Sequence, residues 1–274
     1  MILFLLLSHT ALAAGHQKSP INFHLPSIQT TPGTITFDYK PDFPVDRVFK
    51  KVEPNSHYGW KAVTNFDDPS ARLYLSASHL PGNRYVLEQI HAHWGHSERE
   101  NGSEHSINGV RTKGEFHLVH FNERYRNFDE ARNFEDGLAI VGIFISVSGA
   151  FSSNTFNVLK TLFRKKNVLE SAIPFHPFKL IPKTRSFYSY RGSLTGNDDD
   201  MQTPAEWMVM TEPNKINAIE LHEFYNVDPS ETHFKNITFA LEWGTVVRQY
   251  PGADEPSPQQ PNDFLSFLQG LKFW

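Results

Sequence analysis

The chain has 274 residues, of which 26 are Lys or Arg and 30 are Asp or Glu, giving a formal net charge of -4 with the histidines neutral. No basic surplus is present to meet a nucleic-acid backbone, and no long acidic block marks a solvated tail. The absence of cysteine removes disulfides, thiolate metal ligands and a cysteine nucleophile together, so a metal site has to be built from His, Asp or Glu.

The first residues, Met1 to Leu7, are apolar, and Ala11-Leu12-Ala13-Ala14 follows as a small-residue segment of the kind signal peptidase cuts. Residues 1–14 are therefore expected to be a secretory signal peptide. No other stretch approaches the ~18 apolar residues needed to cross a bilayer, which predicts no membrane span. Asn101-Gly-Ser103 and Asn236-Ile-Thr238 are glycosylation acceptors, compatible with a secreted glycoprotein.

Short apolar or alternating runs dominate the rest: Thr34 to Tyr39, Trp60 to Phe66, Arg72 to Ser76, Tyr85 to Trp94, Gly114 to Phe121, Leu138 to Val147, Trp207 to Thr211 and Ile216 to Leu221. Most are bounded by Gly, Pro, Asn or Asp, and they predict a sheet-rich fold. Helical spacing of Phe156, Leu159, Leu162, Phe163 and Val168 predicts a helix over 153–169. The domain is expected to run over 15–263, with Pro251 to Pro261 as an extended connector and 264–274 as an apolar tail whose default is to dock on it, the alternatives being a partner or a membrane surface.

Two runs carry candidate chemistry. In Gln89-Ile-His91-Ala-His93 the strand period of two puts both imidazoles on one face, a chelating arrangement. In Gly114-Glu115-Phe-His117-Leu-Val119-His120 one face offers Glu115, His117 and Val119, and the other Phe116, Leu118 and His120. One more ligand from this strand would make three nitrogens with an open fourth position, the arrangement of a catalytic zinc. Gln89 and Glu115, each two residues before a candidate ligand, suit the role of accepting its spare ring N–H. Taken singly, each histidine has an ordinary alternative as a strand residue paired with buried polar groups. His222-Glu223 opens no His-Glu-X-X-His zinc helix, because position 226 is Asn. His24, His79, His96, His176 and His233 read as surface or loop residues.

The segments Gln89-Ile-His91-Ala-His93-Trp-Gly95, Gly102-Ser-Glu104-His105 and Glu115-Phe-His117-Leu-Val-His120-Phe-Asn122 resemble, in order and spacing, the metal-site signature of α-carbonic anhydrases. Ser19-Pro-Ile-Asn22, Phe66-Asp-Asp68, Asp136 to Phe144, Tyr190 with Gly192-Ser-Leu-Thr195, and Trp207 to Pro213 extend the resemblance along most of the chain. It implies a mainly β (α+β) fold: a single domain on a large twisted, mostly antiparallel sheet with a few peripheral helices and the metal at the bottom of a cone-shaped cleft. It further implies zinc on His91, His93 and His117, and reversible hydration of carbon dioxide to bicarbonate and a proton by a zinc-bound hydroxide, the hydro-lyase reaction of a carbonate dehydratase. Water on zinc held by three neutral imidazoles has a pKa near ~7, a value carbonic anhydrase itself established. By the same resemblance Thr195 accepts the hydroxide's hydrogen bond and donates its own to Glu104, while Val119, Ile140, Leu194 and Trp207 form the dry wall for carbon dioxide. The implied partners are carbon dioxide and bicarbonate, with no nucleic acid, no membrane span and no assigned protein partner.

The resemblance has gaps. Lys18 and Arg191 stand where the family carries Gln and Pro, and Gly196 to Gln202 form a longer segment before Trp207, altering the cleft rim. An ungapped count from Phe66-Asp-Asp68 puts Trp60 at the family's proton-shuttle histidine, whereas a three-residue shift makes His57 the candidate shuttle. The alternative to an enzyme is a related binding or matrix protein with weak or no activity; Asp198-Asp199-Asp200 would then be a calcium site, against the ordinary reading of that triplet as a solvated loop.

Overall fold

The computed structural model describes residues 17–55, 59–82, 84–148, 175–225, 234, 239–241 and 245–252. The expected signal peptide, the helix over 153–169, most of the connector, the tail 264–274, His57, His233 and the Asn236 acceptor lie outside the described residues.

Thirteen strands are described: β1 (Asn22–Phe23), β2 (Gln29–Thr30), β3 (Ile35–Asp38), β4 (Phe49–Asn55), β5 (Gly59–Thr64), β6 (Tyr74–Ala77), β7 (Tyr85–Trp94), β8 (Ser106–Ile107), β9 (Gly114–Asn122), β10 (Leu138–Val147), β11 (Phe187–Ser193), β12 (Pro204–Ile216) and β13 (Arg248–Tyr250). Two α-helices accompany them, α1 (Phe128–Ala131) and α2 (Ala218–Tyr225). Eleven strands form one sheet in the order β2-β13-β11-β12-β10-β9-β7-β5-β4, with β6 joining β7 and β3 joining β6. Only β10–β12 and β13–β2 pair in parallel within it, so the sheet is mostly antiparallel as expected. A separate parallel pair, β1–β8, ties the N-terminal segment to the loop before β9. No described helix is long and apolar enough to cross a membrane.

The centre of the sheet is buried on both faces. On β10, Ala139, Val141, Ile143 and Ile145 enter one apolar cluster, and Leu138, Ile140 and Phe144 enter a second on the opposite face. This explains why Leu138 to Val147 reads as a continuous apolar run rather than an alternation. On β7, Leu87, Ile90, Ala92 and Trp94 enter the larger cluster, leaving the other face to Gln89, His91 and His93.

The expected strand Ile216 to Leu221 is a correction. β12 ends at Ile216 and α2 follows, because Asn217 Oδ1 accepts the Glu220 N–H at 2.9 Å while the Glu220 carboxylate accepts the Asn217 N–H at 2.8 Å. This reciprocal cap starts a helix whose Leu221, Phe224 and Tyr225 are buried and whose Ile219 is exposed. Strands β4 and β11 were not among the expected ones. In β11, Phe187, Tyr188, Ser189 and Tyr190 are all buried, so no polar alternation marks it. His176 proves to be a buried loop residue whose ring accepts the Phe178 N–H, whereas His24 and His96 are exposed.

Candidate metal centre

Strands β7 and β9 pair antiparallel with His91 opposite His117, which brings the two candidate runs face to face. The ligand-capable nitrogens of His91, His93 and His117 all lie within 4.8 Å of one another, and His93 Nε2 is 3.0 Å from His117 Nδ1. Four ligands at 2.0–2.1 Å in a tetrahedron stand about 3.3 Å apart, so this spacing suits zinc. The three rings are buried. Loss of hydration, then the nearby His93 and His117 rings, hold His91 well below the usual imidazole range, leaving it neutral as a ligand must be.

Behind the candidate ligands stands Glu115. One carboxylate oxygen lies 2.7 Å from His105 Nδ1 and 3.1 Å from His117 Nε2, and the other accepts the His105 backbone N–H at 2.9 Å. Burial alone would raise this carboxyl, but the electrostatic attraction and hydrogen bonds it receives from His105 and His117 outweigh it and hold Glu115 well below the carboxylate range. An ionised Glu115 only accepts, so the His117 proton sits on Nε2 and the Nδ1 lone pair faces His93. Gly142 on β10 lies opposite His117, and a Cβ there would fall 2.7 Å from the same Glu115 oxygen. The missing side chain makes room for the carboxylate.

The network continues outward. The Tyr190 hydroxyl lies 2.7 Å from His105 Nε2 and 2.8 Å from Ser19 Oγ, and Ser19 and Ser193 exchange backbone-to-hydroxyl bonds of 3.1 Å. It thereby fastens the N-terminal segment to the end of β11, directly before Leu194 and Thr195. Sequence reasoning did not single out His105, Tyr190 or Ser19 as site residues, although each falls in a quoted segment.

Over the imidazoles lies a cavity of about 100 Å³. Val119, Ile140, Leu194 and Trp207 line it with His91 and His117, and Gln89, Thr195, Asp200 and Phe128 complete the wall. Trp207 is fixed by an indole N–H bond to the Ser193 carbonyl at 2.8 Å. Glu104 is buried with a carboxylate oxygen 3.5 Å from His93 Nδ1. Gln89 is buried, and its Oε1 has no hydrogen-bond partner among the described residues. A larger open groove of about 620 Å³, bounded by Arg72, Arg124 and Arg126, carries none of these groups.

One expectation changes. Trp60 does not face the cavity; it belongs to the apolar cluster on the other side of the sheet, with Ala62 and Ile90, which pair across β5 and β7. In the rim segment, Asp200 and Asn197 cap each other, and Arg132 binds Asp200 at 3.0 Å, so that carboxylate is engaged within the protein.

Fold and site together define a β-sheet protein with three buried histidines that could hold a metal, beneath a small cavity. The chain belongs to the eukaryotic-type carbonic anhydrase family, whose model matches residues 8–243. It is 29% identical over 238 residues to carbonic anhydrase 3 of Homo sapiens, covering 84% of this chain and 85% of that protein. It is 30% identical over 251 residues to carbonic anhydrase 3 of Rattus norvegicus, covering 86% and 90%. It is 32% identical over 218 residues to carbonic anhydrase 7 of Mus musculus, covering 78% of each. The family match begins inside the segment read as a signal peptide.

Proposed function

We propose that this chain is a zinc-dependent carbonic anhydrase that hydrates carbon dioxide reversibly. The observation that carries the reading is the convergence of three buried imidazoles, two of which, His91 and His117, line a cavity walled by Val119, Ile140, Leu194 and Trp207. His91, His93 and His117 would hold the metal. The chemistry zinc supplies in such a site is a water acidic enough to be a nucleophile at neutral pH.

The chain's own residues then have separable tasks. Glu115 keeps His117 in its ligating tautomer, and the Glu115–His105–Tyr190–Ser19 chain holds Glu115 in turn. In this reading Glu104, whose carboxylate oxygen lies 3.5 Å from His93 Nδ1, and Gln89, two residues before His91, orient those rings. Thr195, on the cavity wall, orients the nucleophile through its hydroxyl, with Glu104 as that hydroxyl's acceptor. The apolar wall suits a linear, apolar triatomic, and a volume of about 100 Å³ falls well short of the ~300 Å³ at which drug-sized ligands begin to fit. Export of the chain by a cleaved segment over residues 1–14 is part of the same proposal, and N-terminal mass spectrometry of the secreted protein tests it.

The deciding experiment pairs elemental analysis with a carbon dioxide hydration assay on the purified protein. Wild type is expected to hold about one zinc per chain and to hydrate carbon dioxide, while His117→Ala loses most of the zinc and nearly all activity. A wild-type chain refolded with zinc that retains none would overturn the reading.

A further inference from the structure

We infer that Glu88 is the group that carries the proton between the cavity and bulk water in each turnover; this rests on the hydration reading above. Hydration releases one proton per bicarbonate, and that proton has to leave the site. Trp60, suggested by the ungapped count, is sealed in the opposite core and has no titrating group.

The geometry begins with a register shift. Leu87 pairs with His120 and Gln89 with Val119, so Glu88 is an extra residue, a β-bulge in β7. Bulges re-aim side chains. On one side of the strand Leu87 and Ile90 are sealed in the larger apolar cluster, at 0% and 1% exposure. A half-buried carboxylate has no place there, so Glu88 turns to the side where its neighbour Gln89 lines the cavity. On that side Phe128 of α1 contributes to the cavity wall and Asp129 follows it.

Four charged groups face Glu88: Lys61 on β5, Asp129 on α1, and Glu53 and Lys51 on β4. Both lysines are committed to Glu53, at 3.0 Å and 2.6 Å. Among the described residues no hydrogen bond or ion pair holds the Glu88 carboxylate. Loss of hydration therefore dominates, and with Asp129 and Glu53 it outweighs the lysines, pushing Glu88 up to about 7. A carrier at that value exchanges protons almost evenly with a site titrating near ~7, and each unit of mismatch would cost a factor of about ten. As a carboxylate Glu88 accepts the proton, becomes the neutral acid, and returns to carboxylate by giving it to buffer base; no electrons are transferred.

Oxygen-18 exchange on the zinc-loaded protein separates the interconversion of carbon dioxide and bicarbonate from the release of label into water, which needs a proton delivered to the site. Glu88→Gln should lower label release at least about fivefold, leave interconversion within about twofold, retain zinc, and be rescued by added imidazole. A second readout needs neither metal nor turnover: in metal-free protein carrying ¹³C at the glutamate carboxyls, one resonance should titrate near 7 and vanish in Glu88→Gln. Should that variant fold poorly, Glu88→Asp assigns the resonance by its loss. Unchanged label release, or a Glu88 midpoint in the ordinary range near ~4.3, overturns the relay. A wild type that binds zinc but interconverts no carbon dioxide instead overturns the proposed activity, which the NMR titration does not depend on.

Discussion

Adding a single methyl group at Gly142 should weaken zinc binding although Gly142 is no ligand. An ideal Cβ there lies 2.7 Å from a Glu115 carboxylate oxygen and 3.2 Å from Val209 Cγ2. The end of a flexible side chain usually gives way cheaply, but this one is pinned. The crowded oxygen lies 2.7 Å from His105 Nδ1 and 3.1 Å from His117 Nε2, and its partner holds the His105 N–H at 2.9 Å. Relieving the contact takes roughly half an ångström and sacrifices at least one buried charge-assisted bond, about 1.5–3 kcal/mol. His117 also loses its orienting partner, which typically costs ~10- to 100-fold in metal affinity, or about 1.4–2.7 kcal/mol. Gly142→Ala should therefore be destabilised by about 1.5–3 kcal/mol in urea unfolding of the metal-free protein and should bind zinc ~10- to 100-fold more weakly in competition with a chelator. In a Glu115→Gln background the same methyl should cost less, and the double-mutant cycle measures that coupling. Affinity within about twofold of wild type and stability within ~0.5 kcal/mol would refute the reasoning.

Three further outcomes are expected. Thr195→Ala and Glu104→Gln should each lower hydration by ~10² or more while zinc content stays near one per chain, because they orient the reacting atom without ligating the metal; full activity in both would remove these roles. His120, buried against the Tyr39 hydroxyl and the Ala139 carbonyl, is held down to about 3 by loss of hydration. The unfolded chain protonates near ~6.5, so this stability is complete above that pH and drains as pH falls toward 3, by up to ~1.4 kcal/mol per unit. His120→Gln should flatten the fall in urea midpoint between pH 7 and 4, and an unchanged slope would count against the assignment. Arg132→Ala removes bonds to Asp200 at 3.0 Å and Thr203 at 3.1 Å. It should cost up to ~1 kcal/mol and speed amide exchange over Asn197 to Thr203, with zinc content unchanged.

Within single segments, the sequence by itself determined a good deal. The period-two spacing of His91 with His93, and of Glu115, His117 and Val119, settled which side chains share a face, because alternation is local to a strand. The expected strands Tyr85 to Trp94 and Leu138 to Val147 agree with the structure at both ends, since long apolar runs between turn residues leave little choice. Matched motifs in order were enough to indicate the family.

Whatever depends on two segments meeting was decided only by the tertiary structure. That His91 stands opposite His117 is a matter of register between β7 and β9, and neither run contains it. Ser19 reaches Tyr190 across 171 residues of chain. Trp60 counts to the shuttle position in sequence, yet the pairing of Ala62 with Ile90 turns it into the core. Glu88 lies in an unbroken strand-like run, and only the pairing with β9 makes it a bulge that leaves the apolar side. The physical reason is common to all four: side-chain alternation is a property of one backbone, whereas register, bulges and long-range hydrogen bonds come from partner strands, and a one-residue slip between them exchanges the faces.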